Sequence, residues 1–281
     1  MKWISRAFLI AALASSVGHA REVKLHQTAT LDFRPYGGED TITATFSGSN
    51  VPLLRDYLVR SNAAAAKGEF ETTSDHEARL HDLRTLLAPI DATKFYAFPV
   101  VPVSAKYEAD QQEWHLTTTG GCKSYPGREA LWECLSAIQR VERPGYMGQN
   151  AYGATAMISN VTYNDIRFVV SSTFPKAKEV FREGGLGEYE LDIRFAMPIK
   201  VARRYAGAAF EVYAIGYLVA PWVRVAKPIN ISPTISDPQR TQMNSVTLPM
   251  LAQQLIVVAK GHSGAVAVIS LSGKPLVAPA L

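Results

Sequence analysis

The sequence predicts an α+β fold, with N-terminal helices and a predominantly antiparallel sheet or two packed sheets. Three observations carry this expectation. Capped, helix-periodic segments occupy residues 49–89. Aromatic and β-branched runs replace them after Thr93. Between Leu191 and Met197, apolar residues alternate with Asp192, Arg194 and Ala196, the period of a sheet with one buried face.

The chain begins with a different kind of segment. Lys2 and Arg6 precede an apolar run of 11 residues, Ala7–Val17, and then Gly18-His19-Ala20. Small residues at these positions suit signal peptidase, so residues 1–20 read as a signal peptide cleaved after Ala20. The run is too short to span a bilayer, which needs about 20 apolar residues. No later stretch reaches that length, so the mature chain is expected to carry no transmembrane segment. Cleavage leaves 281 − 20 = 261 residues and lowers the formal charge from +4 to 27 − 25 = +2. The expected location is the periplasm or the extracellular space.

The first helix is expected from Ser49 or Asn50 as cap, with Pro52 in its first turn and Leu53, Leu54, Tyr57 and Leu58 on one face. Ala63–Ala66 extend it as far as Gly68. Ser74 and Glu77 form a capping-box pattern ahead of Leu80, Leu83, Leu86 and Leu87. A third helix is expected after Pro126, where Leu131, Leu135 and Ile138 recur at helical spacing. Strands are expected at 24–33, 41–46, 95–103, 113–119, 154–160, 165–174, 189–201, 209–219, 222–231 and 266–271. Residues 230–244 read as a long loop, and 249–260 as either helix or strand. Pro144-Gly145, Gly148 and Gly153 place a boundary near 145–146. It separates a helix-containing region, 21–145, from a strand-rich region, 146–281, unless the two form one continuous domain. Phe98, Pro102-Val103, Lys106-Tyr107 and Trp114 have a gapped counterpart in Phe195, Pro198-Ile199, Arg204-Tyr205 and Tyr213, a weak internal similarity.

Cys122 and Cys134 are the only cysteines. In an exported chain an even pair reads as one disulfide. Their spacing is not that of a Cys-x-x-Cys redox pair, and only His115 is near enough in sequence to join them as a metal ligand.

Motifs for catalysis are incomplete. Gly261-His262-Ser263-Gly264-Ala265 resembles a nucleophile elbow, but no His, Asp or Glu follows Ser263, so Ser263 reads as a turn residue. His76 and His81 stand five apart, not the four that zinc ligands on one helix face require. Glu188, Glu190 and Asp192 share a strand face, where like charges suit solvent, a cation or a basic partner. Asn160-Val161-Thr162 is a glycosylation sequon. No phosphate loop, dinucleotide fingerprint, EF-hand or Cys/His cluster is present, so no cofactor, metal or catalytic residue is assigned. Basic charge gathers late in the chain: 8 basic and 2 acidic residues lie from Lys200 onward. Lys200, Arg203 and Arg204, with Arg224 and Lys227, form a candidate anion-binding surface.

The expected function is therefore non-enzymatic: an exported bacterial envelope binding or assembly factor. Its partner would be an envelope protein or an anionic envelope glycan or lipid, and not nucleic acid. A hydrolase with catalytic groups dispersed along the chain is the alternative.

Overall fold

The computed structural model describes residues 32–65, 68–78, 90, 93–100, 103–118, 121–125, 128–150, 152–184, 188–219, 223–234 and 236–276. The signal-peptide segment 1–20, residues 24–31 of the expected strand at 24–33, and Leu80, His81, Leu83, Leu86 and Leu87 lie outside these residues; 32–33 are irregular chain. Residues Asp32–Leu281 belong to one compact unit.

Strands dominate, which corrects the α+β expectation. In chain order they are β1 (Phe95–Val100), β2 (Val103–Glu108), β3 (Glu113–Thr118), β4 (Cys122–Tyr125), β5 (Arg128–Gln149), β6 (Thr155–Ser171) and β7 (Phe181–Glu183). They continue with β8 (Glu188–Ala196), β9 (Phe210–Leu218), β10 (Arg224–Val225), β11 (Ile229–Ile231), β12 (Gln239–Ala259) and β13 (Ala267–Ser270). They build one mixed sheet in the order β1-β9-β12-β6-β5-β4-β8-β3-β2, with β10, β11 and β13 added to β12 and β7 to β8. β12 and β6 run parallel, while β12 and β9 run antiparallel.

The helix α1 (Val51–Ala65) follows its sequence signals. The Asn50 Oδ1 accepts a hydrogen bond from the Leu53 N–H at 3.3 Å, and Leu54 and Leu58 are buried. The helical turn at 73–78 is capped two residues before the expected Ser74: the Thr72 hydroxyl accepts from the Asp75 N–H and donates to the Asp75 carboxylate.

The expected helix after Pro126 is strand β5. Leu131 and Leu135 are half-buried and Ile138 is exposed, whereas Trp132 and Cys134 are buried against Val170 and Phe168 of β6. A bulge between Leu135 and Ala137 interrupts the strand alternation, so the apolar spacing mimics a helix. Residues 249–260 are also strand. Leu255 and Val257 face one core cluster, and Ile256 and Val258 face another. Burial on both faces erases the period of two.

Three further corrections concern the ends of strands. Of residues 41–46, Thr41 closes a 3-10 turn, Glu39–Thr41, and the rest are irregular chain that follows it. The runs 154–160 and 165–174 are one strand, β6. The run 189–201 ends at Ala196, before a one-turn helix, Ile199–Ala202. That helix replaces the second half of the internal similarity, since its counterpart, β2, is extended.

Cys122 and Cys134 are bonded and stand opposite each other across β4 and β5. The bridge joins two strands of a hairpin. Closing a 13-residue loop contributes on the order of 3 kcal/mol.

The two core clusters sandwich β1, β9 and β12. One contains Leu54, Leu58, Phe98, Phe168 and Leu255. The other contains Tyr36, Ile42, Tyr213 and Ile256 beneath the segment 36–46. Tyr36 is buried with its hydroxyl unpaired among the described residues. Burial, then the nearby Glu39 and Asp40 charges, push its phenol up to about 12. Burial and the hydrogen bond to Glu211 raise Tyr213 further. An unfolded tyrosine ionises near pH 10, so both groups bind their protons more tightly when folded. Their contribution is complete below about pH 10 and is lost as pH rises toward the folded values. Urea melts are expected to show stability falling above about pH 10, with a shallower fall in Tyr36→Phe. An identical slope in wild type and Tyr36→Phe would contradict the assignment.

Candidate functional site

The central part of β5, β6 and β12 lies in the core, but all three strands run on beyond it. β6 before Ile166, β12 before Val246 and β5 after Ala137 supply no residue to either core cluster. With β11 these segments form a four-stranded arm that extends about 30 Å along β6. The expected boundary at 145–146 lies inside β5, and the glycine-rich stretch is the hairpin end of the arm, closed by Asn150 and Gly153.

Register assigns each arm residue to a face. Tyr163 lies beside Arg140 of β5 and Met243 of β12, and Met243 beside Ile229 of β11. Val161 lies beside Glu142 and Thr241, and Thr241 beside Ile231. Met157 pairs with Met147, and Asp165 with Ile138. Side chains of paired residues share a face. Thus Ile138, Met147, Met157, Ile229, Ile231 and Met243, all exposed, lie on one face, away from the main core. Met147 and Met157 are each 62% exposed. Arg140 pairs with Glu142 on this face, and Arg167 with Asp165 at 3.4 Å, so its charges cancel.

The outer side of β5 beyond Cys134 has no partner strand among the described residues. Pro144 and a bulge between Arg143 and Tyr146 interrupt this open edge, as edge strands commonly do against unwanted pairing. The run Gly145–Asn164 contains no charged residue.

The expected basic surface divides into two places. Lys200, Arg203 and Arg204 are exposed on consecutive turns before β9. Arg203 borders an apolar hollow of about 250 Å³ with Tyr107, Trp114 and Ile199. Arg224 lies opposite Thr247, at the other end of the β12 segment that ends beside Phe210. Twelve residues of strand between these points correspond to about 40 Å. Arg224 donates to the buried Glu133 carboxylate at 3.0 Å, so its partner is internal. Lys227 is exposed beyond β10.

Other sequence candidates also have structural partners. The Asp192 carboxylate lies 2.8 Å from His115 Nε2, 3.0 Å from Arg182 and 3.2 Å from Arg194, so the acidic strand meets a basic cluster within the chain. Asn160 of β6 donates its amide to the Pro144 carbonyl of β5 at 3.0 Å. Ser263 is exposed in the turn between β12 and β13, where Gly261 and Gly264 take positive φ. His76 lies in the helical turn at 73–78.

A polar groove that sequence reasoning missed, about 320 Å³, lies between 43–47 and the ends of β9 and β12. Tyr213 donates to Glu211 at 2.8 Å, Lys260 lies 3.7 Å from Glu211, and the His262 ring packs 5.1 Å from Tyr205. Burial, then the hydrogen bond to Glu211, raises the Tyr213 phenol above its ordinary value. Among the described residues no His/Cys/Asp/Glu group could hold a metal ion, and no helix is long and apolar enough to cross a membrane.

The fold and site thus define a mixed β-sheet protein with an amphipathic β arm. Comparison with protein-family models, with curated proteins and with solved structures gives no match.

Proposed function

We propose that this is an exported, non-enzymatic protein of a bacterial envelope, and that it assembles by packing the apolar face of its arm against the same face of a second copy. The observation that carries the reading is the gathering of six exposed apolar side chains on one face of the arm. The signal-like N-terminus and the Cys122–Cys134 bridge support export to an oxidising compartment.

Size and charge favour a second copy as the occupant. Four strands at about 4.8 Å spacing and nine residues of β6 give roughly 500 Å² per face. Two such faces bury about 1,000 Å², near the lower bound for a specific interface. The paired charges Arg140–Glu142 and Arg167–Asp165 leave the face neutral, which suits an isologous contact and gives no attraction to an anionic membrane. Sheet-on-sheet packing would bury the methionine and isoleucine side chains without a new strand partner.

A photocrosslinking side chain at position 157 tests the occupant in cells. Capture of a species at twice the chain mass is the expected result. Capture of lipid alone, or only of a different protein, would overturn the reading.

A further inference from the structure

We propose that the opposite face of the arm holds a binding site for a phosphate-type oxyanion, free or carried as an ester, between Arg143 and Arg240. The site does not rest on the assembly reading, since it lies on the face that such packing leaves open.

Register builds the site across three strands. Arg143 of β5 lies beside Asn160 of β6, which lies beside Arg240 of β12. On the next rung of the same face are Thr162 and Gln242. These residues, with Val161, line a cavity of about 260 Å³. Adjacent strands are about 4.8 Å apart, so the two arginine Cα atoms are separated by about 10 Å. Two arginine side chains from such positions can reach a common ligand.

Ion pairing divides the arginines of the described residues: Arg34, Arg60, Arg203 and Arg204 pair with no carboxylate, and others do. Arg55, Arg140, Arg167, Arg182, Arg194 and Arg224 each pair with a carboxylate. Arg143 and Arg240 have no such partner among the described residues, and no acidic residue lines their cavity. Glu142, adjacent to Arg143 in sequence, is turned to the other face and pairs with Arg140. The site therefore holds two neighbouring positive charges with no carboxylate paired to them among the described residues.

The surroundings are held in place. The β5 bulge follows Arg143 directly, and the Asn160 amide pins it by donating to the Pro144 carbonyl at 3.0 Å. Bulges of this kind re-aim a neighbouring side chain. Gln242 donates to Asn244 at 3.0 Å, and Asn244 donates to Asn164 at 2.8 Å, which fixes the polar floor beside the cavity. Two guanidinium forks and the Thr162 hydroxyl offer more donors than a carboxylate can accept. They match the three or four oxygens of a phosphate group.

Titration of the mature protein with inorganic phosphate at low salt tests the site, alongside co-sedimentation with phosphatidylglycerol vesicles. Wild type is expected to bind phosphate, and Arg143→Gln/Arg240→Gln to weaken binding by about tenfold or more, the loss of at least one charge-assisted bond. Lys200→Gln/Arg203→Gln/Arg204→Gln is expected to bind as wild type does. Arg143→Lys/Arg240→Lys should fall between, because it keeps charge and loses the fork. Vesicle binding that phosphate displaces, and that the double variant loses, would identify a lipid headgroup as the source. Phosphate binding without vesicle binding would identify a soluble phosphate or phosphorylated glycan. Both substituted arginines are exposed, so melting curves of the double variant should match wild type. Wild type that binds neither probe, or a folded double variant that binds as tightly as wild type, would overturn the proposal.

Discussion

Arg224→Met is expected to destabilise the protein by about 3 kcal/mol, because it strands a buried carboxylate. The Glu133 side chain is 4% exposed and accepts from Arg224 at 3.0 Å and from the Thr247 hydroxyl. Its other cationic neighbour, Lys123, is 3.9 Å away and half-exposed. Removing the guanidinium leaves a charge in the sheet that Lys123 compensates poorly. The double change Glu133→Leu/Arg224→Met removes both charges and should recover most of the loss. Chemical denaturation of the two variants measures the difference. A single variant as stable as wild type would show that the pair contributes little. This result would also separate Arg224 from the anion-binding surface expected from sequence, since its loss should appear in stability and not in ligand binding.

Gly216→Ala is expected to cost about 3 kcal/mol, and Gly216→Val more. Gly216 lies in β9, flanked by β1 and β12, one strand in from the β1 end of the sheet. A Cβ built there would come within 2.1 Å of the Leu251 carbonyl oxygen and 2.4 Å of Met250 Sδ. The methionine can move, but the carbonyl belongs to β12 and cannot move without shifting the ladder. The bulge between Ala252 and Gln254 sits beside this contact, so the two strands meet closely where β12 changes register. Alanine at Gly207 is a contrasting case: there no atom lies within 4 Å, and the cost comes from a positive φ of 78° instead of a clash. Thermal melts of the Gly216 series should show loss increasing with side-chain size. Wild-type stability in Gly216→Ala would contradict the close approach.

Local signals read well where one rule acted alone. Asn50 capped α1 as its residue type implied, and Leu54 and Leu58 packed as their spacing required. β1, β3 and β9 were legible because aromatic and β-branched residues had no competing pattern. Failure came where two rules overlapped. Leu131, Leu135 and Ile138 matched a helix only because a bulge shifted the strand phase, and the burial of Trp132 and Cys134 against β6 decided the outcome. Leu255–Ala259 has no period because both faces are covered.

The arm was obscured for a related reason. Pro144, Gly145, Gly148 and Gly153 are turn-forming residues, and three of them lie inside β5. Proline is tolerated there because β5 has an open outer edge and a bulge, where its missing N–H costs no ladder bond. A usable signal was present: twenty successive uncharged residues from Gly145 to Asn164 in a chain that is 19% charged. The apolar face itself was not legible, because Ile138, Met157, Ile229 and Met243 come from four strands and meet only through register. The same holds for Arg143 and Arg240, which the sheet brings to either side of Asn160. The basic cluster that sequence did expose, Lys200, Arg203 and Arg204, is contiguous in the chain and so needed no tertiary information.

Sedimentation of wild type and of Met157→Asp/Met243→Asp tests the assembly account most directly. Both methionines are exposed, so the variant should melt as wild type does. The account predicts that wild type sediments as two copies at micromolar concentration and the variant as one. A wild type that remains a single copy throughout that range, or a variant that still pairs, would contradict it.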